Sequence, residues 1–265
     1  MPENAPSHCA WFGENAETNL QTSDGKAVTV VNFNHEANEE ILNEWALQFR
    51  LNYCSDADLE AACTATGLSQ ADYLRNQKFP TRGSIQAGDF AELLVADYIQ
   101  FLLGYKVPRT RYDRKINPNS SSQAVDVVGF KFNHEGQTRN DELITCEVKA
   151  RFTATANTLQ NAINDSRKDY ETRLPFALNA MRQRLLDRND VDSANEVARF
   201  ENKTSRPYRE VTGAAFVCSR AVWSENLVTD SVGEHENEHA SYFTFVGDDF
   251  MDLARRLYEL AYVAA

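Results

Sequence analysis

The chain has 265 residues, 42% apolar and 25% charged, with a formal net charge of −12, which suits a globular protein with a large core. It shows no basic segment followed by an apolar one at the N-terminus and no apolar run of the roughly 18 residues that span a bilayer, which argues against secretion and membrane insertion. Its five scattered cysteines lack Cys-x-x-Cys spacing, which argues against a disulfide or zinc framework, so we expect a cytoplasmic protein without a membrane partner.

The first third of the chain, residues 1–82, is predicted to be an acidic and mainly helical region. Residues 1–26 are polar and are expected to be irregular, whereas the β-branched stretch 27–33 is typical of a strand. Apolar side chains at helical spacing then predict three helices, over residues 39–53, 58–66 and 69–77. Proline and glycine in residues 79–83 mark a break, and we expect residues 83–265 to form a second domain that ends in a helix.

Residues 84–103 have the strongest helical pattern in the sequence, and Gly104 ends it. Within this helix Glu92 has apolar residues at +3, +4, +7 and +11, positions that share its face. Its carboxylate is therefore expected to point along an apolar stripe. Gly88, one turn earlier, leaves room for a close backbone approach. Taken alone, the pattern is equally typical of a helical Glu on a protein surface.

The segment after this helix is basic within an acidic protein. Residues 104–190 contain 15 Lys and Arg against 11 Asp and Glu, whereas the remainder contains 12 against 28. Residues 105–112 are predicted to form a strand, and four basic side chains lie on it or just beyond it: Arg109, Arg111, Arg114 and Lys115. Such cations can hold a nucleic-acid backbone nonspecifically, although a solvated basic face explains them equally well. The acidic remainder favours a protein partner.

Two further strands are predicted over residues 125–132 and 142–149. A type II′ reversal at Gly136-Gln137 places Asp126 directly across from Glu147, while a bulge or longer loop would shift this register by one residue. Facing carboxylates repel unless a cation lies between them. Mg²⁺ or Mn²⁺, which prefer oxygen ligands, would suit that position.

Glu147, Val148 and Lys149 close the second of these strands. Residues two apart on a strand share a face, so Glu147 and Lys149 project side by side while Val148 points into the sheet. A carboxylate and an ammonium group at the end of a buried strand are costly unless each has a partner. A lone Glu-x-Lys is far more often a solvated strand edge. The strands and the helix that precede it are what favour a catalytic site here.

The rest of the chain completes a mixed α/β pattern. Helices are predicted over residues 153–166 and 171–203, with a break near Leu174-Pro175, and strands follow at 211–218 and 240–246. The first three strands of the second domain are expected to form an antiparallel meander, and a helix then carries the chain to the fourth. This order predicts a central mixed sheet flanked by helices.

The order of these motifs resembles the PD-(D/E)xK nuclease superfamily over roughly residues 84–220. Gly88 and Glu92 match its Gly-x-x-x-Glu on the first helix, Asp126 matches the Asp of the second strand, and Glu147 and Lys149 match its Glu-x-Lys. The usual Pro before the Asp is Val125 here. The size, the helical N-terminal region and the Gly-Asp-Phe-Ala-Glu stretch also resemble the HamA family, nuclease subunits of the Hachiman bacterial anti-phage defence system.

This resemblance implies a Mg²⁺-dependent or Mn²⁺-dependent deoxyribonuclease domain within residues 83–265. Its catalytic residues would be Glu92, Asp126, Glu147 and Lys149. Asp126, Glu147 and the Val148 carbonyl would bind the metal, with Glu92 contacting it through water. Lys149 would orient or deprotonate the attacking water, or instead act as a fixed positive charge on the transition state.

The resemblance also implies partners. DNA would be the substrate, and a helicase resembling HamB would be the protein partner. Arg151 continues the face of Lys149 and could hold a phosphate, while Gln160 matches a helical Gln found near the site in some relatives, although a surface Gln is the commoner interpretation. The alternative is a catalytically inactive nucleic-acid-binding or scaffold subunit of the same kind of complex.

Overall fold

The computed structural model describes residues 4–13, 17–120, 124–132, 138–153 and 158–264. In this part of the chain six strands form one mixed sheet in the order β1-β2-β6-β5-β4-β3. The strands are β1 (Glu17–Gln21), β2 (Ala27–Phe33), β3 (Val127–Lys131), β4 (Glu142–Arg151), β5 (Arg209–Ser219) and β6 (Ala240–Gly247). The outer pairs β1–β2 and β3–β4 are antiparallel and the inner pairs are parallel. The predicted mixed α/β fold is confirmed.

Helices cover both faces of the sheet. They are α1 (Glu39–Leu51), α2 (Asp56–Thr66), α3 (Gln70–Tyr73), α4 (Gly83–Asp97), α5 (Thr158–Lys168), α6 (Leu174–Asp187), α7 (Val191–Ala198), α8 (Asn226–Thr229) and α9 (Phe250–Ala261). Among the described residues, no helix combines the length and apolar content that a bilayer crossing needs.

The strand pairing that positions the candidate site agrees with the sequence prediction. In the antiparallel β3–β4 pair, Val127 lies opposite Cys146 and Lys131 lies opposite Glu142. Asp126 and Glu147 occupy the next positions beyond this ladder, as the predicted register requires. The reversal predicted at Gly136-Gln137 lies outside the described residues.

The predicted strand over residues 105–112 is wrong, and so is the three-stranded meander built on it. The segment makes an isolated antiparallel bridge, between Lys106 and Phe130. Pro108 has no backbone N–H with which to continue a ladder. Beyond it the chain leaves the sheet edge, so β3 becomes the last strand.

Two other predictions about secondary structure are also corrected. Residues 17–21 pair with β2 instead of being irregular, because an edge strand needs only backbone pairing and its side chains can be polar. The predicted break at Leu174-Pro175 is absent. A π-helical turn at Asp169–Arg173 joins α5 to α6, and Pro175 falls in the first turn of α6, where a proline is tolerated. The helix ends instead before Asn189, which has a positive φ of 58°.

Residues on both sides of position 82 share one core. Trp45 of α1 packs against Phe90 of α4 with ring centroids 5.9 Å apart, and Phe90 packs against Phe250 of α9 at 5.6 Å. Strand β2 also lies between β1 and β6 in the common sheet. The division at residue 82 stays a prediction about folding units, while α4, which carries Glu92, is held by aromatic contacts from both segments.

Candidate active site

A cavity of about 930 Å³ contains all four residues that the sequence predicts to be catalytic. Glu92 reaches it from α4, Asp126 from the residue before β3, and Glu147 and Lys149 from β4. Val148 belongs to the core on the α4 side of the sheet, whereas Lys149 contacts α5 on the other side. The predicted alternation of side chains along β4 therefore places Glu147 and Lys149 side by side on the same face.

Arg111 joins the two carboxylates on the α4 side of the cavity. Its Nε lies 2.7 Å from Glu92 Oε2, and its Nη2 lies 2.5 Å from Asp126 Oδ1. The second Asp126 oxygen accepts a hydrogen bond from the Val148 backbone N–H at 2.9 Å, and the Tyr112 hydroxyl donates to Glu92 Oε2. Burial raises the pKa of Glu92 even though Arg111 opposes this effect. Both carboxylates are thus held by neighbouring donors.

Lys149 is held by two carboxylates. Its Nζ lies 2.6 Å from Glu147 Oε1 and 2.8 Å from Asp165 Oδ2 of α5. Partial burial lowers the pKa of Lys149, but the hydrogen bonds to Asp165 and Glu147 outweigh this effect and raise the pKa above its ordinary value. The side chain is therefore an ammonium ion, which favours a fixed positive charge over a proton acceptor.

Asp169 is a carboxylate beside the site that the sequence did not predict; it contacts Arg173, which lines the cavity, but does not line the cavity itself. It begins the π-helical turn after α5 and is completely buried. Arg173 Nη1 lies 3.2 Å from Asp169 Oδ1 and 3.5 Å from Glu147 Oε2. Burial, with repulsion from Glu147 and Asp126, raises the pKa of Asp169 to about 8. The spacing of Asp165, Asp169 and Arg173 at i, i+4 and i+8, directly after a Glu-x-Lys strand, is a signal that could have found this cluster.

The donor types around the cavity fit a hard divalent cation. Carboxylate oxygens are the ligands that Mg²⁺ and Mn²⁺ prefer, and Glu147 Oε2 and Asp169 Oδ2 are buried and accept no hydrogen bond. In the described part of the chain, however, no three His, Cys, Asp or Glu side chains are arranged to hold an ion as they stand. Basic groups lie at these carboxylates instead: Arg111 at Asp126, and Lys149 and Arg173 at Glu147.

The basic side chains predicted to bind nucleic acid mostly contact α4. Arg109 forms an ion pair with Asp97 at 2.7 Å, and Lys115 Nζ lies within 2.9 Å of both Asp89 oxygens with its side chain only 4% exposed. Together with Arg111, these residues neutralise the acidic side chains of one helix. Their positive charge is thus paired with carboxylates of the protein, although Arg109 and Arg111 also line the main cavity.

The remaining predicted contacts lie at or outside the edge of the site. Arg114 is exposed. Arg151 is also exposed and lines a smaller cavity of about 370 Å³ that shares Lys149 with the main one. Gln160 accepts a hydrogen bond from the Val232 backbone N–H at 2.7 Å and does not line the main cavity. The structure therefore brings Arg151 near the site but directs Gln160 to a neighbouring loop.

A mixed sheet flanked by helices, with acidic side chains and a lysine lining one cavity, defines an α/β protein with a nuclease-like fold. The HamA family model matches residues 8–261, nearly the whole chain. The chain therefore belongs to the HamA family, as the sequence resemblance predicted. This membership supports its identification as a component of Hachiman anti-phage defence. No curated protein matches the chain.

Proposed function

We propose that this chain is a metal-dependent nuclease that cleaves the phosphodiester bonds of DNA, as the effector subunit of a defence complex with a helicase. The observation that carries the proposal is the meeting of Glu92, Asp126, Glu147 and Lys149 in one cavity. These side chains come from helix α4, from strand β4 and from the residue just before β3, the strand that pairs antiparallel with β4. Their chemical types match those that phosphodiester hydrolysis requires.

The acidic residues would hold the metal. Asp126, Glu147 and the Val148 carbonyl would be ligands of Mg²⁺ or Mn²⁺, with Glu92 acting through water. Such an ion, when bound, supplies a polarised phosphate oxygen and a water of lowered pKa. Lys149 supplies a positive charge at the position where negative charge develops on the phosphate. Asp165 holds that ammonium in place and keeps it protonated.

The wall formed by α6 is a suitable place for DNA to enter. Arg173, Phe176 and Arg184 line the cavity from this helix and the turn before it. Phe176 is 78% exposed, and an exposed aromatic ring can stack on an unpaired base. A helicase partner would present such single-stranded DNA. A helicase would also bring the substrate to a protein whose net charge of −12 opposes DNA binding by the chain alone.

Replacement of Phe176 with alanine tests this route. If a base stacks on the ring, Phe176→Ala should weaken binding of single-stranded DNA by about 1–3 kcal/mol and leave the melting temperature unchanged, because the side chain is exposed. Fluorescence anisotropy with a labelled oligonucleotide measures the affinity for single-stranded DNA, and thermal unfolding measures the melting temperature. Leu186→Ala, a change at another exposed apolar residue of α6, is the control. Equal loss of binding in both variants would contradict the stacking role.

The proposed activity is tested by incubating DNA with the full chain, alone and with its helicase. Fragments should accumulate in Mg²⁺ and not in EDTA. The alternative, a catalytically inactive nucleic-acid-binding or scaffold subunit, is favoured by the way Arg111 and the Val148 N–H satisfy both oxygens of Asp126. That alternative is correct if the chain binds its partner but neither binds Mn²⁺ nor cleaves DNA under any of these conditions.

A further inference from the structure

Asp169 and Glu147 are two buried carboxylates with incomplete partners. Asp169 is 0% exposed and Glu147 is 5% exposed. Each has one oxygen that accepts no hydrogen bond, Oδ2 of Asp169 and Oε2 of Glu147. One guanidinium nitrogen of Arg173 lies 3.2 Å from the first residue and 3.5 Å from the second. The two side chains are therefore neighbours that share the Arg173 contact, and Glu147 has a second cation, Lys149, at its other oxygen.

This arrangement is not expected of a purely structural ion pair. A buried carboxylate is costly unless its oxygens are hydrogen-bonded or its charge is balanced. Arg173 is 37% exposed, so water screens its charge, and it serves both carboxylates at once. The π-helical turn Asp169–Arg173 that positions the cluster is a local irregularity of the kind frequently found at functional sites. A cation bound between the two carboxylates would give both of these oxygens, Oδ2 of Asp169 and Oε2 of Glu147, a partner.

We propose that Asp169 is a ligand of the divalent cation, binding it together with Glu147. This inference rests on the proposed function and extends it by a residue that the nuclease motif does not include. Arg173 then acts as a substitute cation, holding Glu147 and Asp169 when no ion is bound. Because Arg173 Nη1 lies 3.2 Å from Asp169 and 3.5 Å from Glu147, Arg173 must move aside when an ion binds between them. Its partly exposed guanidinium can do so toward the cavity, which it lines.

The inference is tested by Mn²⁺ titration of the full chain, with isothermal calorimetry as the readout. Asp169→Asn should weaken Mn²⁺ binding at least about tenfold, because a charged ligand is lost. The matched control is Glu171→Gln, which removes the same charge from an exposed position in the same turn and should bind Mn²⁺ as wild type does. In EDTA, Asp169→Asn should melt at the same temperature as wild type or higher, because the buried carboxyl group that it replaces has one oxygen without a hydrogen-bond partner.

A second variant tests the substitute cation. Arg173→Met removes the competing guanidinium, so it should lower the melting temperature in EDTA and bind Mn²⁺ several times more tightly than wild type. Weaker Mn²⁺ binding by this variant would overturn the role given to Arg173.

The outcomes separate this inference from the proposed function. If Asp169→Asn binds Mn²⁺ as wild type does while Glu147→Gln does not, Asp169 is not a ligand and the proposed function still stands. If Asp169→Asn melts lower than wild type in EDTA, the carboxylate is a structural partner of Arg173 and the inference is wrong. A wild-type chain that binds no Mn²⁺ overturns both.

Discussion

Lys149→Met is expected to reduce DNA cleavage by about 10²–10³-fold, the loss typical when one preorganised charge or donor at a developing oxyanion is removed. Methionine keeps most of the length of the side chain and removes the ammonium group that lies 2.6 Å from Glu147 and 2.8 Å from Asp165. The effect should be on the chemical step, because Lys149 is not a metal ligand. Single-turnover cleavage in saturating Mg²⁺ measures that step, and Mn²⁺ titration should show binding no weaker than that of wild type.

Arg151→Met is the matched control for this result. Arg151 lies on the same face of β4, two residues further on, and is exposed. Loss of its charge should reduce cleavage only modestly and in a salt-dependent manner, as expected for a contact to a phosphate group. If Lys149→Met cleaves at the wild-type rate, or if the two variants lose activity equally, the role assigned to Lys149 is wrong. A lowered melting temperature would show that Lys149 also balances Glu147, which is 5% exposed.

The arrangement of the four motif residues was accessible from sequence because it depends on short-range rules. Side chains alternate along a strand, and opposite residues of an antiparallel pair follow from the register. These two rules place Asp126 beside Glu147, and the β3–β4 pairing agrees with them. Glu92 was predicted from helical periodicity, which places it on the apolar face of its helix, together with the match of Gly88 and Glu92 to the Gly-x-x-x-Glu motif.

The partners of the basic segment were not accessible from sequence. Lys115 and Asp89 are 26 residues apart along the chain, and their pairing depends on how the segment after α4 folds back over that helix. A row of Arg and Lys has the same appearance whether it binds phosphate or buried carboxylates. The sequence spacing of Asp169 could have indicated its neighbours on the helix, but its complete burial depends on a π-helical turn and on tertiary packing that the sequence does not show.

Arg111→Met is expected to destabilise the metal-free protein by about 3–5 kcal/mol, the range observed when one partner of a buried ion pair is removed. The Arg111 side chain is 13% exposed and contacts both Glu92 and Asp126. Its loss leaves two poorly solvated carboxylates without their shared cation. Chemical denaturation in EDTA measures the free energy of unfolding. Arg114→Met, at an exposed position three residues away, should leave that free energy within about 0.5 kcal/mol of the wild-type value.

The stability of Arg111→Met decides between two roles for Arg111: the DNA contact predicted from the sequence and the balancing of buried carboxylates that the structure supports. An Arg111 side chain that only held DNA would be dispensable for folding, so Arg111→Met would weaken DNA binding and leave stability unchanged. If Arg111 instead balances Glu92, adding Glu92→Gln to Arg111→Met should recover part of the lost stability, and the double-mutant cycle should give a coupling energy well above zero. Saturating Mn²⁺ should stabilise Arg111→Met more than it stabilises wild type, because the ion then meets no competing guanidinium at Asp126. Equal stabilisation of the two proteins would show that Arg111 and the ion do not compete for Asp126.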